Sequence, residues 1–213
     1  MTKAFNCPSC GAKGEFLSPA SLFVVCKYCK SSIVRHENEL VNLGQISEVA
    51  EDNSPLQLGS SGEYAAKTFL VIGRVRYQWS DGFWNEWHLF FNDGTSAWLA
   101  EAQGEFFLMR EYQPADMPKA HEWIVGGVLY IDQANFTVVD IKNNEIQMSE
   151  GELPFRAHVG DKRKTADLRP ILGTKFATFE LDVESRKVSC YLGESIALQK
   201  LKMKNLRVHD DWK

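Results

Sequence analysis

Four of the five cysteines stand in two short motifs of the same spacing near the start of the chain. Cys7 and Cys10 bracket one pair of residues, Cys26 and Cys29 bracket another, and fifteen residues separate the two motifs. Two CxxC motifs at this spacing are typical of a four-thiolate metal site, because each tight turn supplies two sulfur ligands to one tetrahedral ion. The spacing therefore predicts a closed, structural zinc site. An iron centre of the rubredoxin type and redox or disulfide chemistry are the alternatives.

The cysteine motifs define the first domain that we predict, a zinc ribbon over 1–37. Apolar and β-branched residues beside the second motif indicate two short strands, over 21–25 and 31–35. Residues 38–55 mix acidic and small polar side chains with scattered aliphatic ones, which indicates a linker with one short helix over 39–49. Cys190 alternates with two aliphatic neighbours, so we expect a buried thiol there.

The remainder, 56–213, has the pattern of a mainly β domain. Short alternating stretches separated by turns that contain glycine and aspartate predict many antiparallel strands. The fold class is therefore mainly β, a zinc ribbon followed by an antiparallel β-barrel or β-sandwich. Similarity between the segments that begin at Tyr64 and Tyr130 favours two related halves, 56–118 and 119–213. After the hairpin described next, strands are expected at 95–100, 123–131, 136–141, 145–148, 176–181, 187–192 and 195–206.

The clearest pattern is a hairpin over 69–91 that turns near residues 80–82. A three-residue loop pairs Arg74 with His88 and Arg76 with Glu86, and collects the apolar residues on the opposite face. A two-residue turn at 81–82 mixes polar and apolar residues on both faces. Because strand register follows the hydrophobic pattern, we predict the first pairing.

This pairing makes one candidate ligand site from Arg74, Arg76, Glu86 and His88. Two guanidinium groups oriented by Glu86, beside a histidine that titrates near neutral pH, could hold an anion or a carboxylate. The same residues could form two solvent-exposed pairs worth about 0.2–1 kcal/mol each, which we favour. Trp84 is the aromatic residue expected on the outer face, where it could contact a partner.

Paired carboxylates beside a glycine form a second candidate surface, Glu101 with Glu105 and Glu150 with Glu152. They could bind a polyamine or another small cation by charge pairing, or they could be solvated loop ends, which we favour. The sequence contains no phosphate-binding glycine loop, nucleophile elbow or HExxH motif. We therefore expect that the protein is not an enzyme.

Charge and cysteine usage limit the partners and the compartment. The chain carries a net charge of −4, and residues 1–37 carry +3, which leaves −7 on the rest. This distribution disfavours nucleic-acid binding, because attraction to phosphate dominates that affinity. No apolar run approaches the ~18–20 residues of a membrane span. We expect no signal peptide before the first cysteine motif, and metal-binding cysteines suit a reducing compartment, so we predict a cytoplasmic protein.

Five blocks of the β domain resemble an uncharacterised bacterial family, a domain of unknown function that commonly follows an N-terminal zinc ribbon. The likeness extends over nearly all of 56–208. The resemblance implies a mainly β module without an agreed activity, whose genes are associated with polyamine-synthase-like and membrane-stress-response genes. It provides no catalytic residues. The blocks are FLVIGRVRY at 69–77, WHL at 87–89, WLAEAQGE at 98–105, GELPF at 151–155 and YLG at 191–193.

Our leading hypothesis is a non-enzymatic adaptor that binds a protein partner through the ribbon and the β domain. It combines a closed metal site with a tryptophan-rich domain in which no catalytic pattern is visible. Nucleic-acid binding and the sensing of a polyamine or another small molecule are the alternatives.

Overall fold

A computed structural model describes residues 3–36, 39–45, 53–170 and 172–208 of the 213-residue chain. Within these ranges the chain forms fifteen strands and one 3-10 helix, and the predicted mainly β, antiparallel fold class is confirmed. The N-terminal strands are β1 (Lys3–Asn6), β2 (Lys13–Phe16), β3 (Phe23–Val25), β4 (Ser31–His36) and β5 (Glu39–Gln45). The others are β6 (Ser61–Tyr64), β7 (Lys67–Trp79), β8 (Gly82–Phe91), β9 (Ser96–Ala102), β10 (Glu105–Tyr112), β11 (Val128–Ile131), β12 (Ala134–Leu153), β13 (Lys162–Pro170), β14 (Lys175–Asp182) and β15 (Val188–Ser195), before a 3-10 helix at Leu198–Leu201.

Eight of these strands close into a barrel-like ring of antiparallel pairs. Strands β7 to β10 follow one another as hairpins, and strands β12 to β15 do the same. The two groups join where β10 pairs with β15 and where β12 pairs with β7. Strand β12 is 20 residues long, and its first half pairs with β13 while its second half pairs with β7. The ring therefore has an interior, into which one face of every strand is directed.

Apolar side chains pack on both sides of the ring wall. One core lies inside the ring and continues towards the ribbon, a second lies outside β7 to β10 under β6 and the 3-10 helix, and a third lies outside β12 to β15 under β11. Cys190 is fully buried in the third core, as predicted. Because both faces of the wall are covered, polar residues of these strands need not face solvent.

The short helix predicted over 39–49 is wrong for the residues that the structure describes. Residues 39–45 form β5, which pairs with β4 and extends the ribbon sheet. Gly44 disfavours a helix by about 1 kcal/mol, and it adopts a φ of 106° at the irregular step of this pairing. Residues 46–49 lie outside the described ranges.

The strand predicted over 195–206 is also wrong, because residues 198–201 form the 3-10 helix instead. Of the alternating lysines that suggested a strand, Lys200 lies in this helix, and Lys202, with a φ of 47°, and Lys204 follow it. Leu201 is fully buried in the second core, and Lys204 forms an isolated antiparallel bridge with Ser61, so apolar packing and one backbone pairing fix the segment without a continuous strand.

The register of the β7–β8 hairpin differs by one residue from the prediction. Trp79 pairs with Gly82, so the turn contains only residues 80–81, and Arg74 faces Trp87. The prediction assumed that the polar face of the hairpin meets solvent. Both faces are in fact buried, so the hydrophobic pattern did not determine the register.

Candidate functional site

The four cysteines of the two motifs come together at one end of the molecule. Their sulfur atoms lie within 4.8 Å of one another, with Cys7 Sγ 3.7 Å from Cys29 Sγ and Cys10 Sγ 3.8 Å from Cys26 Sγ. Four sulfur atoms at about 2.3 Å from a tetrahedral zinc ion are about 3.8 Å apart. The four cysteines therefore form a site that could bind a metal ion, and their geometry fits zinc.

Two turns of the same shape present these sulfur atoms. The Gly11 amide donates a hydrogen bond to Cys7 O at 2.8 Å, and the Lys30 amide donates one to Cys26 O at 2.9 Å. Gly11 and Lys30 both have positive φ, 74° and 59°, which closes each turn around its cysteines. The left-handed conformation costs a lysine roughly 1–2 kcal/mol, which indicates that the site itself holds this turn.

Ser31 favours the thiolate form of one ligand. Its hydroxyl oxygen lies 3.2 Å from Cys29 Sγ, and hydrogen bonds from the Ser31 side chain and backbone lower the pKa of the Cys29 thiol to about 6. Metal ions bind the thiolate and not the thiol. The second motif thus carries a ligand that is prepared for a metal ion.

Glu152, predicted on an acidic surface loop, instead joins the ribbon to the barrel. Its carboxylate accepts hydrogen bonds from the Leu17 amide at 2.8 Å, the Ser18 amide at 3.2 Å and the Ser21 hydroxyl at 2.8 Å. The residue is only 4% exposed, and its backbone pairs with Val24 of β3. This carboxylate therefore fixes the ribbon on the end of β12.

Arg74 and Arg76 lie in a buried network on the outer face of β7. Both donate from Nε to the side-chain oxygen of Asn85 at 3.1 Å, and they are only 3% and 4% exposed. The Arg74 guanidinium lies 4.6 Å from the centre of the Trp87 ring, and that of Arg76 lies 4.3 Å from the Phe83 ring. Burial lowers the pKa of Arg74 to about 10, which leaves it charged at neutral pH.

Glu101 and Glu150 supply negative charge to this arginine network. Glu101 Oε2 accepts hydrogen bonds from Trp87 Nε1 at 2.9 Å and from Ser54 Oγ at 2.7 Å. Glu150 Oε2 lies 3.8 Å from Arg74 Nη1, across the β7–β12 pairing. Both carboxylates therefore contact other side chains of the same protein.

Glu86 and His88 lie on the opposite face of the hairpin, inside the ring, so the predicted group of four side chains does not form. His88 is fully buried, stacks on Trp98 with ring centres 4.9 Å apart, and places Nδ1 2.9 Å from Glu152 O. Burial lowers the pKa of His88 to about 4. This histidine is thus neutral at physiological pH and does not titrate there as expected.

Trp84 and Glu105 complete the set of predicted surface residues. Trp84 does not lie on the outer face, because it stacks on Tyr77 inside the ring with ring centres 5.0 Å apart. Glu105 is exposed at the start of β10. The predicted acidic surface is therefore not one surface, and only Glu105 of the four carboxylates is fully exposed.

The ring encloses a cavity of about 470 Å³ that the sequence did not reveal. Its walls combine aromatic rings with charged side chains of β12 and β13. Polar residues alternate with apolar ones over 165–169 of β13, which could have suggested a polar interior. The same alternation also fits a strand with one solvated face, so sequence alone does not separate the two cases. The aromatic part of the lining is Trp79, Trp84, Phe107 and Phe176, and the charged part includes Glu86, Asp167, Lys142 and Arg169.

A groove of about 320 Å³ lies between the ribbon and the barrel. Its ribbon wall includes Val24 and Val25, and its barrel wall includes Leu58 and Leu70. Tyr28, in the second cysteine motif, borders the groove and is 64% exposed. This groove exists only because the two parts are held together.

Comparison with known proteins identifies the barrel but not its role. Residues 57–198 match a family described as a domain of unknown function (DUF4178), which leaves the ribbon outside the match. No curated protein and no solved structure matches the chain. Over the described ranges, the chain forms no helix with the length and apolar character that crossing a bilayer requires.

Proposed function

This chain belongs to the DUF4178 family of domains of unknown function, and we propose that it is a non-enzymatic adaptor that binds an extended segment of a partner protein. The observation that carries the proposal is the groove between the ribbon and the barrel, which both parts build. The partner segment has apolar side chains that enter the groove and acidic residues beside them.

The chemistry of the groove supports this partner. Aliphatic side chains form both walls, and exposed aromatic residues such as Tyr28 often provide much of the binding energy at protein interfaces. Among the described residues that line the groove, Lys13 and Lys27 are exposed lysines and Glu15 is the one exposed acidic residue. An apolar segment with acidic flanks complements such a surface in shape and charge.

The contact between the ribbon and the barrel supports this proposal, because it forms the groove before a partner binds. Three hydrogen bonds to Glu152 and the pairing of β3 with β12 set the position of the ribbon on the barrel. A preformed groove loses less conformational entropy when a partner binds. Zinc is the ion that we propose for the cysteine site; when bound, it would cross-link the two turns of the ribbon.

The alternatives have less support. The buried positions of Arg74 and Arg76 remove two basic residues from any contact with nucleic acid. Three of the four carboxylates considered for polyamine binding, Glu101, Glu150 and Glu152, form contacts within the molecule. A bacterial source, a cytoplasmic location and the suggested gene neighbourhoods remain predictions.

Site-specific crosslinking tests the adaptor proposal. A photo-reactive phenylalanine at position 28 should give one crosslinked product in lysate, whereas the same group at the exposed position 185, on the β14–β15 turn, should not. Lys13→Glu combined with Lys27→Glu should weaken binding of the purified partner by about tenfold, because the acidic flanks are then repelled.

The matched control is Lys200→Glu with Lys204→Glu, which makes the same charge change at exposed positions away from the groove lining. Equal crosslinking at positions 28 and 185, or equal affinity of the two double variants, would contradict the proposal.

A further inference from the structure

The barrel cavity has the size and the access of a small-molecule site. Its volume of about 470 Å³ lies within the range of roughly 300–1,000 Å³ that is usual for ligand pockets. Asp81, on the β7–β8 turn, and Gln103, on the β9–β10 turn, are exposed and line it, so it reaches the surface at this end of the ring. The position is distinct from the groove beside the ribbon.

Aromatic rings form one part of the cavity wall. Trp79 and Trp84 meet at an angle of 47° with ring centres 5.4 Å apart, and Phe107 and Phe176 face each other at 5.0 Å. Flat faces arranged in this way favour a ligand that has a flat or apolar body.

The protein places two of its own cations on these rings. Lys142 Nζ lies 5.6 Å from the centre of the Trp79 ring. The Arg169 guanidinium lies 5.0 Å from the Phe107 ring and 4.7 Å from the Phe176 ring. These contacts show that the aromatic walls accept positive charge, as cation–π attraction predicts.

Two carboxylates line the cavity next to the rings. Glu86 accepts a hydrogen bond from Trp84 Nε1 at 3.0 Å, and Asp167 accepts one from Thr178 Oγ1 at 2.9 Å. Lys142 and Arg169 also act on Asp167, whereas the charged groups that act on Glu86 are two further carboxylates, Glu180 and Asp167. Glu86 therefore gains strongly from a cation, because burial of a carboxylate without an opposite charge is costly.

We infer that the barrel cavity binds a small organic cation, whose charged group lies against Glu86 and Asp167 and whose apolar body packs on Trp79 and Trp84. The lining rings contribute cation–π contacts, and the carboxylates contribute the opposite charge. Negatively charged ligands of the same size are disfavoured, since the cavity lining carries four carboxylates, Asp81, Glu86, Asp140 and Asp167, against the two cations Lys142 and Arg169.

Protonation of Glu86 gives the inferred site a characteristic pH dependence. Burial and the charge of Glu180 raise the pKa of Glu86 to about 8, and burial raises the pKa of Asp167. A cation binds best to the ionised carboxylate, so its affinity should rise as the pH increases from 6 to 9. The titratable or charged groups around Glu86 and Glu180 are Asp167 and Arg163 on β13, Tyr77 on β7, Asp182 on β14, Tyr191 on β15 and Lys187 just before β15. Those around Asp167 are Asp140 and Lys142 on β12 and Arg169 on β13.

Titration of the full-length, metal-loaded protein with benzyltrimethylammonium tests the inference. This probe keeps its charge at every pH, and its phenyl ring fits the aromatic wall. We expect saturable quenching of tryptophan fluorescence, with affinity about tenfold higher than for its neutral carbon analogue neopentylbenzene, and no competition by benzoate. Equal affinity for the charged and neutral probes, tighter binding of benzoate, or no saturable binding of the cation would overturn the inference.

Glu86→Gln locates the binding. This substitution keeps the size of the side chain and an acceptor for Trp84 and removes a buried ionisable group, so the variant should melt no lower than the unchanged protein, while its affinity for the cation falls about tenfold and depends less on pH. The control, Glu105→Gln, removes an exposed carboxylate outside the cavity lining and should bind as the unchanged protein does. Identical cation binding in both variants would overturn the inference, whatever the outcome of crosslinking at the groove.

Discussion

His88 shows how a single side chain depends on both parts of the molecule. Its ring stacks on Trp98 in the interior of the barrel, and its Nδ1 lies 2.9 Å from the backbone oxygen of Glu152, the residue that holds the ribbon. The sequence places His88 in an ordinary alternating strand. Its burial, and therefore its loss of titration near neutral pH, follows from the strands that close over it.

The depressed pKa of His88 predicts a loss of stability in mild acid. The folded protein keeps this ring neutral down to a pH of about 4, whereas the unfolded chain protonates it near 6.5. Stability from this residue is therefore complete above 6.5, and between pH 6.5 and 5 it should fall by roughly 2 kcal/mol. Denaturant unfolding at several pH values measures this fall.

The comparison with His88→Gln isolates that effect. Glu86 acts in the opposite direction, because its raised pKa makes the folded protein bind a proton that the unfolded chain releases above about 4.5. Glu86 is present in both the unchanged protein and His88→Gln, so its effect cancels in the comparison. The difference in unfolding free energy between these two proteins should shrink as the pH falls from 7 to 5. A difference that stays constant from pH 7 to 5 would show that the ring is accessible to protons in the folded state.

Elements of the two predicted halves enter the barrel in the same way. In each, a short strand and a two-residue turn precede four consecutive strands of the ring: β6 before β7 to β10, and β11 before β12 to β15. Both turns have positive φ at two successive residues, 49° and 62° at 65–66 and 47° and 62° at 132–133. The relation of the halves by duplication stays a prediction.

The attachment of the ribbon can be tested through Glu152→Gln. The amide of glutamine carries no charge and has one acceptor oxygen, so it cannot satisfy the three donors that now meet the carboxylate. We expect a loss of roughly 1–3 kcal/mol in unfolding free energy and faster hydrogen exchange at the Leu17 and Ser18 amides.

Glu105→Gln is the control for this substitution and should change neither quantity, because Glu105 is exposed. Unchanged exchange at Leu17 and Ser18 in Glu152→Gln would mean that the pairing of β3 with β12 holds the ribbon without the carboxylate.

Patterns in short segments of the sequence predicted the features that those segments form by themselves. Features that depend on pairing between strands far apart in the sequence could not be predicted. The cysteine cluster follows from ligand spacing within two short turns. The β7–β8 hairpin follows from alternation, but its register does not, since Arg74 and Trp87 share a buried face. Two strands were expected at 136–141 and 145–148, but the structure has one continuous strand, β12, which changes its partner from β13 to β7 near Glu145. The cavity depends on closure of the whole ring, which no single strand specifies.

Strand β12 connects the part of the chain that holds the cysteine cluster to the barrel. Its first half pairs with β13, its second half pairs with β7, and its last residues pair with β3 of the ribbon. The barrel also has two cores that contain no ribbon residue, whereas the ribbon core consists of a few side chains around Cys7 and Cys26. The two parts should therefore differ in their dependence on a metal ion.

Removal of the metal should unfold the ribbon and leave the barrel folded. The purified protein should contain one zinc ion for each chain by elemental analysis. After chelation, amides of β1 to β4 should lose protection from hydrogen exchange because the metal supplies most of the folding free energy of small zinc domains. Amides of β8 and β9 should keep their protection. The control is a Cys7→Ser, Cys10→Ser variant, which lacks two of the four ligands, so chelation should not change its hydrogen exchange. Full protection of the ribbon without metal, or loss of protection throughout the barrel, would contradict this division of the molecule.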